Sequence, residues 1–370
     1  MNGEINQRLK DIESILDAWL PQTPNPEWAA RVFPGPESRA AAELLESLIL
    51  PCRDLLSRGG KRWRPLLMVL VCEALGGGDA ALALTPLVEF CHNASLIHDD
   101  IEDASDQRRG KPAVHLIYGA DAAINSGSFF YFLPLSCIDA WDAPAELKER
   151  IRAVWGEYLR RLHLGQAMDI HWHRDFQSLP GINEYYTMCG LKTGCMARLA
   201  AVLGAQIALS GPQPRFSPPA VQQAAEQMGR AAEQLGVGFQ ILDDVKNLDA
   251  GLPGKKRGDD VVEGKKSLPV LLYLHGNETA ERTLAPAEAE QRRNLVSRCF
   301  NAARAGGTKA PEVEELIAAL DKTGALEKAR RRGLALIREG AAGLTPSQIG
   351  DVPLQAEGRR LLAEFVNLIT

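Results

Sequence analysis

Two aspartate-rich segments are the first feature of this chain that could do chemistry. Asp99–Asp103 and Asp243–Asn247 each end a long apolar run with helical periodicity. Residues four apart share one helix face, so Asp99 would lie beside Asp103. Carboxylates so close to one another resist ionising together unless a cation lies between them. Mg²⁺ commonly joins one or two carboxylates to a substrate phosphate. Either segment alone could be a solvated helix end, but the pair predicts a magnesium–phosphate site.

Basic residues lie upstream of, between and after these acidic segments. Arginine binds phosphate oxygens bidentately, and lysine acts as a compact point charge. The chain has neither a GxxxxGK[ST] nor a GxGxxG signature, so the predicted ligand is a diphosphate that need not belong to a nucleotide. The basic residues are Lys61, Arg62, Arg64, Arg108, Arg109, Lys111, Lys192, Lys255, Lys256, Arg257, Lys265 and Lys266.

Composition limits the class of protein. The 370 residues are 45% hydrophobic and 24% charged, as in ordinary globular proteins, and the net charge of −5 does not suggest a nucleic-acid partner. No uninterrupted apolar stretch reaches the ~20 residues of a transmembrane helix. The polar N-terminus lacks a secretory signal, and seven cysteines without C-x-x-C favour free thiols. We therefore expect a cytoplasmic protein.

Helical periodicity dominates the chain, with no convincing β-alternating segment. Thr85–Pro86 predicts a helix start with a capping hydroxyl. A second helix is predicted from about 220 to 248, and its internal glycines indicate close helix packing or room for a ligand. Residues 250–266 read as a loop long enough to be a mobile lid. The internal glycines are Gly229, Gly236 and Gly238.

The chain resembles the trans-isoprenyl diphosphate synthases (the polyprenyl synthetase family), and geranylgeranyl diphosphate synthases most of all. The resemblance lies in six motifs: GGKRWRP, HDDIEDASDQRRGKP, GQAMD, LKTG, FQILDDVKN and GKKRGDDVVEGKKSLP. It implies an all-α isoprenoid synthase fold, a single large helical bundle around a central catalytic cavity, usually in a homodimer. We expect one polyprenyl synthetase domain over residues 1–370, with the motif-bearing core at about 57–272 and C-terminal helices at 273–370.

The resemblance also implies a reaction, in which an allylic diphosphate ionises, isopentenyl diphosphate captures the carbocation and a proton leaves. The metal ligands, for three magnesium ions, would be Asp99, Asp103 and Asp243, supported by Asp100 and Asp244. The remaining clamp on the allylic diphosphate would be Arg108, Lys192, Lys255 and Lys265. The isopentenyl diphosphate site would be Lys61, Arg64, His92 and Arg109. The dipoles that face the developing cation would belong to Thr193 and Gln240.

Product length should depend on the helix that ends at Asp99. Ala94 and Ser95 are small, which would leave room for another isoprene unit, and one turn deeper Phe90 and Cys91 could form the floor of a pocket. This interpretation favours a twenty-carbon geranylgeranyl product, and Ala94→Phe should shorten it.

Departures from the family pattern leave alternatives open. Asn247 replaces the last aspartate of the second segment, and because its amide still offers an oxygen, this predicts weakened rather than lost metal binding. No role is evident for His171–Arg174, whose two histidines would point to opposite sides of a helix. The alternatives are a farnesyl or longer-chain synthase, a class I terpene cyclase and a non-catalytic synthase subunit. The expected partners are isopentenyl diphosphate and a dimethylallyl, geranyl or farnesyl diphosphate.

Overall fold

The computed structural model describes residues 3–39, 42–175, 179–211, 215–251, 256–276 and 284–369. Helices dominate these ranges, so the all-α prediction is confirmed. The helices are α1 (Gly3–Trp19), α2 (Pro26–Val32), α3 (Ala42–Ser57), α4 (Trp63–Ala74), α5 (Pro86–Glu102), α6 (Val114–Tyr118), α7 (Ala120–Phe132), α8 (Pro134–Ala140), α9 (Ala145–Arg174), α10 (Ile182–Cys189), α11 (Cys195–Leu209), α12 (Pro218–Asp249), α13 (Asp259–Glu263), α14 (Leu268–His275), α15 (Pro286–Gly306), α16 (Pro311–Lys322), α17 (Ala325–Leu344) and α18 (Ala356–Ile369). A π-helical segment, Gly190–Gly194, joins α10 to α11.

Within the described ranges, the strands form two short antiparallel hairpins. The first pairs β1 (Gln107–Arg108) with β2 (Lys111–Pro112), and the second pairs β3 (Gln348–Ile349) with β4 (Val352–Pro353). Each strand has two residues, too short for the alternation that marks a strand in a sequence.

Two predicted helices have the expected bounds, but one predicted cap is wrong. Helix α5 begins at Pro86 and α12 ends at Asp249, one residue beyond the expected end. The hydroxyl of Thr85 does not cap α5, because it donates a hydrogen bond of 2.8 Å back to the carbonyl oxygen of Leu82. The start of α5 is therefore marked by proline at the first helical position and not by a side-chain cap.

Glycines in α12 allow close packing, one of the two uses predicted for them. A Cβ added to Gly236 would lie 2.8 Å from the Cα of Gly194, and one added to Gly238 would lie 2.7 Å from the carbonyl oxygen of Gly333. Real Cβ atoms essentially never approach so closely, so larger residues would separate these backbones.

The contacts divide the chain into two compact units. Unit 1 comprises 1–159, 196–232 and 341–370, and unit 2 comprises 160–195 and 233–340. In unit 1, α5 packs against α7, with the rings of Phe90 and Phe130 4.6 Å apart. In unit 2, a core that includes Tyr185, Leu271 and Phe300 surrounds the end of α12. The single polyprenyl synthetase domain stays a prediction.

The segment predicted as a lid contains a helix. Asp259–Glu263 forms α13, with Gly258 and Gly264 both in the left-handed region at its ends. The prediction of a loop is wrong at residues 259–263, because the glycines that flank the short DDVVE run allow one helical turn. Residues 252–255 lie outside the described residues.

The seven cysteines all lie in the described ranges, and each is a buried free thiol, which confirms the free-thiol prediction. Burial raises the pKa of Cys72 and of Cys91 to about 12, so these thiols are protonated and unreactive. Among the described helices, none is both long and apolar enough to cross a bilayer.

Candidate active site

The first aspartate-rich segment lies at the carboxyl end of α5, in unit 1. The backbone nitrogen of Asp103 donates a 2.9 Å hydrogen bond to the carbonyl oxygen of Asp99, so these residues are one turn apart as predicted. The side chain of Asp99 is 20% exposed, whereas that of Asp100 is fully buried. Asp99 is therefore accessible to a ligand, and Asp100 supports it from within the fold.

The β1–β2 hairpin positions Arg108 against this segment. Its two-residue turn, Arg109–Gly110, has positive φ at both positions (53° and 75°), the requirement of a type I′ turn. Nε of Arg108 donates a 2.8 Å hydrogen bond to Oδ1 of Asp100, and Nη2 donates to the same oxygen. Nη2 also lies 3.5 Å from Oδ2 of Asp99.

The buried carboxylate of Asp100 is only half satisfied. Burial raises the pKa of Asp100, although the Arg108 hydrogen bond opposes this. Its Oδ2 is buried and accepts no hydrogen bond from the described residues. An oxygen in this state, beside two further carboxylates, fits a site that gains from a nearby divalent cation.

A second basic region of unit 1 lies around α4 and α5. Nη1 of Arg64 lies 3.3 Å from Nε2 of His92, and the Arg64 guanidinium stacks 4.4 Å above the Trp63 ring. Burial, followed by the nearby arginines, holds the pKa of His92 well below its usual value. A neutral imidazole can accept a hydrogen bond from Arg64. Lys61 is exposed nearby in sequence.

A buried polar network fixes Arg109, and sequence analysis missed it. Arg62, with φ 47°, forms ion pairs of 2.7 Å with Glu13 and 2.8 Å with Glu89. Asn93 donates a 2.9 Å hydrogen bond to Oε1 of Glu89 and accepts one of 3.2 Å from Nη1 of Arg109. The available signal was the spacing of Glu89 and Asn93, one turn apart within the apolar run of α5.

Arg62 and Arg109 therefore have different roles although both are basic. Arg62 is 5% exposed and its charge is used inside the fold. Burial lowers the pKa of Arg109 to about 10, so Arg109 remains charged at neutral pH. Of the two, Arg109 is the one that remains partly exposed.

The second aspartate-rich segment ends α12, in unit 2, and repeats the pattern of the first. Asp243 is exposed and Asp244 is buried. The Asp244 carboxylate accepts hydrogen bonds from Tyr185 Oη (2.9 Å), Gln240 Nε2 (2.8 Å) and Lys265 Nζ (2.8 Å). Asp244 thus orders its surroundings, while Asp243 faces outward.

Polar contacts extend from Asp244 to the π-helical segment. Oγ1 of Thr193 donates a 2.7 Å hydrogen bond to Oε1 of Gln240, which fixes the orientation of that amide. Nζ of Lys192, in the same segment, donates a 2.6 Å hydrogen bond to Oδ2 of Asp169. Thr193, Gln240 and Asp244 therefore form one connected chain of hydrogen bonds. It begins in the π-helical segment, a kind of structure that often occurs at functional sites.

Asn247 has a structural role rather than the ligand role that its amide oxygen suggested. This oxygen accepts a 3.1 Å hydrogen bond from the backbone nitrogen of Asp260, and its Nδ2 donates to the carbonyl oxygen of Lys256 at 3.4 Å. The amide therefore ties the end of α12 to the segment around α13. Lys255, a predicted phosphate ligand, lies outside the described residues.

The predicted chain-length residues lie on two faces of α5. Phe90 and Ala94 are fully buried and share the face that packs on α7, where Gly127 allows the close approach of Ile97.

Ser95 lies one turn before Asp99 on a different face and is partly exposed. One further turn back, Cys91 is buried and accepts a 3.3 Å hydrogen bond from the indole nitrogen of Trp155. Added bulk at Ser95 would therefore lie in line with Asp99, whereas bulk at Ala94 would press on α7.

The donor set in each unit fits a divalent cation held together with a substrate phosphate. Within the described ranges, no three His, Cys, Asp or Glu side chains are already arranged as a metal-binding cage. Mg²⁺ is usually bound through one or two carboxylates plus substrate phosphates rather than by an all-protein cage. Accessible Asp99 and Asp243, each followed by a buried aspartate, are suited to that mode of binding.

Comparison with known proteins identifies the family. The polyprenyl synthetase family matches residues 46–303. The chain belongs to this family. It is 31% identical over 297 residues to the geranylgeranyl diphosphate synthase of Methanosarcina mazei, covering 76% of this chain and 81% of that protein. It is 33% identical over 242 residues to the geranylgeranyl pyrophosphate synthase of Eremothecium gossypii, covering 64% and 71%.

A solved polyprenyl synthetase structure gives the same result for the fold. The geranylgeranyl pyrophosphate synthetase of Pyrococcus horikoshii matches with a TM-score of 0.76 and 26% identity, over 99% of this chain and 96% of that one. The predictions of the family, the isoprenoid synthase fold and a prenyltransferase enzyme are confirmed. The roles of individual residues stay predictions.

Proposed function

We propose that this polyprenyl synthetase condenses isopentenyl diphosphate with an allylic diphosphate to make geranylgeranyl diphosphate, using magnesium. One observation carries the proposal. In each unit an accessible aspartate, Asp99 or Asp243, precedes a buried aspartate that a cation holds, Asp100 by Arg108 and Asp244 by Lys265. This repeated arrangement suits the binding of a highly charged diphosphate leaving group. The names of the similar proteins support the twenty-carbon product.

The aspartates supply the cation sites in this proposal. Asp99, Asp103 and Asp243 would hold magnesium, and bound magnesium would act as a Lewis acid on the diphosphate leaving group. Asp100 and Asp244 would keep the basic side chains beside them in place. Arg108 and Lys265 are already charged and ordered, so little reorganisation is needed when the leaving group gains charge.

The polar chain around Asp244 would stabilise the other product of ionisation. When the allylic carbon–oxygen bond breaks, its electron pair stays with diphosphate and a carbocation remains. Asp244 orders Gln240, which accepts from Thr193, so both side chains keep fixed dipoles near the reacting carbon. Fixed dipoles lower a barrier without the cost of reorientation.

The second substrate would occupy the basic region of unit 1. Lys61, Arg64, His92 and Arg109 would bind the diphosphate of isopentenyl diphosphate. Its double bond then forms the new carbon–carbon bond with the carbocation, and the departed diphosphate accepts the proton that leaves. No protein side chain needs to act as the base.

We also propose a homodimer in the cytoplasm. Four large apolar side chains on α6 and α7 are exposed within unit 1, and exposed apolar residues clustered on neighbouring elements are typical of protein interfaces. Size-exclusion chromatography with light scattering should give twice the chain mass, and charged substitutions at Ile124 and Phe132 should lower it. The exposed fractions are 56% for Leu116, 46% for Ile117, 49% for Ile124 and 62% for Phe132.

The test of the reaction is product analysis with purified protein. Magnesium, isopentenyl diphosphate and each allylic primer are mixed, and the products are identified by mass. We expect a twenty-carbon diphosphate, and none after EDTA. Farnesyl or longer products would correct the chain length, a cyclic hydrocarbon would indicate a cyclase, and no turnover would indicate a non-catalytic subunit.

A variant set ties the reaction to the aspartates. Asp99→Asn and Asp243→Asn should each lower kcat by about a hundredfold or more, the range seen when a group that stabilises transition-state charge is removed. Asp249→Asn is the matched control, because Asp249 is exposed at the end of the same α12 and pairs with Arg330. Equal activity in all three variants would contradict the proposed site.

A further inference from the structure

The end of α9 carries two histidines that the proposed reaction does not use. His171 is exposed and His173 is partly buried, so the helix directs them to different surroundings, as their spacing predicted. A shared metal ion is therefore excluded as their role. The surroundings of His173 indicate a different one.

One face of α9 contacts both the backbone and the side chain of Lys192. Gly165, Asp169 and His173 are spaced four apart and so lie along this face. A Cβ added to Gly165 would overlap the backbone nitrogen of Lys192 and lie 2.6 Å from the carbonyl carbon of Leu191. Gly165 thus admits the backbone of the π-helical segment, and the ammonium group of Lys192 reaches Asp169 one turn later.

The carboxylate of Asp169 bridges two side chains. It is 3% exposed, and its Oδ2 accepts a 2.6 Å hydrogen bond from Nζ of Lys192. Its Oδ1 lies 3.0 Å from Nε2 of His173, which has no well-aligned hydrogen-bond partner among the described residues. Burial raises the pKa of Asp169, but Lys192, His173 and Lys265 together hold it well below its usual value. The carboxylate is therefore ionised and held at both oxygens.

The backbone on which His173 stands is itself anchored. Nζ of Lys266 donates to the carbonyl oxygens of Trp172 and, at 3.1 Å, Asp175. Nη2 of Arg304 donates a 3.2 Å hydrogen bond to the carbonyl oxygen of His173. Cations at these carbonyls satisfy the end of α9 and oppose its dipole.

We propose that His173 is a positioning residue, which holds the Asp169 carboxylate so that Lys192 is directed at the allylic diphosphate. This inference rests on the proposed function, in which Lys192 binds that diphosphate. A carboxylate held at one oxygen can rotate and carry the lysine with it. Contact at the second oxygen restricts that rotation, so Lys192 is ordered before substrate binds.

The test compares two substitutions of similar size. His173→Gln keeps a donor near the position of Nε2, whereas His173→Met keeps the volume without a donor. His171→Met is the control, because His171 is exposed on the same helix. The KM of each substrate, kcat and the affinity for magnesium pyrophosphate by calorimetry are measured, with a thermal melt to establish that each variant is folded.

His173→Met should raise the KM of the allylic diphosphate and weaken pyrophosphate binding by up to about fivefold, because the 3.0 Å contact with Asp169 is an electrostatic contact rather than a well-aligned hydrogen bond. His173→Gln should recover most of this loss, and His171→Met should change nothing. The KM of isopentenyl diphosphate should stay constant. In a Lys192→Ala background, His173→Met should add no further loss, because two residues acting through one contact are not additive.

Three results would overturn the inference. They are equal kinetics for wild type and His173→Met, equal losses for the Gln and Met variants, and an undiminished His173→Met effect in the Lys192→Ala background. Each leaves the proposed function intact, since wild-type turnover is measured in the same assay. A wild-type chain without turnover would overturn both.

Discussion

Removing the buried charge of Glu89 should destabilise the protein far more than removing that of Glu13. Both carboxylates pair with Arg62, at 2.8 Å and 2.7 Å, but Glu89 is 2% exposed and Glu13 is 45% exposed. Breaking a buried pair costs about 3–5 kcal/mol because it leaves a buried charge uncompensated. An exposed pair contributes about 0–1 kcal/mol.

We therefore expect Glu89→Gln to lower the free energy of unfolding by about 3 kcal/mol, the lower end of that range because Glu13 still faces Arg62. Glu13→Gln should change it by less than about 1 kcal/mol. Glutamine preserves the shape of the side chain, so each change in the free energy of unfolding reports the loss of the carboxylate charge.

The free energy of unfolding of both variants is measured by urea denaturation followed by circular dichroism. If its slope against urea concentration is the same in both variants, their midpoints can be compared directly. Glu89→Gln should also raise the KM of isopentenyl diphosphate, because Glu89 orders Asn93, which in turn holds Arg109. Equal stabilities of the two variants would refute the argument that burial makes the Glu89 pair the stronger one.

Three further predictions concern α5, α9 and Lys266. Ser95→Phe should shorten the product, as measured by mass spectrometry, because Ser95 lies one turn before Asp99 on the same face of α5. Ala94→Phe, which the sequence also predicts to shorten the product, should in addition lower the melting temperature, because Ala94 is fully buried. Gly165→Ala should reduce kcat by displacing the backbone of the π-helical segment, and wild-type kcat would contradict the close approach seen there. Burial lowers the pKa of Lys266 to about 8, whereas an unfolded lysine titrates near ~10.4, so between these values the unfolded chain binds more protons. The stability of wild type relative to Lys266→Met should therefore rise from pH 8 to 10 in denaturant titrations, and a flat or falling difference would contradict it.

The sequence was sufficient for features that depend on residues close together in the chain. The spacing of Asp99 and Asp103 fixed their shared turn, and Pro86 fixed the start of α5. Glycines inside α12 predicted the close packing that Gly236 and Gly238 have. The first two follow from local helix geometry, whereas the glycines indicated close packing without identifying the partners, Gly194 and Gly333.

Features that depend on distant residues were not predictable in this way. Periodicity did not distinguish buried Arg62 from partly exposed Arg64, because Glu13 and Glu89 come from other parts of the chain. Asn247 resembled a weakened metal ligand until the backbone of Asp260 was seen to use its oxygen. Whether Ala94 or Ser95 is the better position for shortening the product depended on which face of α5 packs against α7.

The central claim is that the two aspartate-rich segments, one in each unit, hold divalent cations when an allylic diphosphate is bound. The most direct measurement counts Mn²⁺ ions bound per chain by electron paramagnetic resonance, with an unreactive allylic thiodiphosphate present. Wild type should bind about three ions, the number that the family resemblance implies for carboxylates and a diphosphate together, and Asp99→Asn and Asp243→Asn should each bind fewer. An ion count that neither substitution changes would contradict the account.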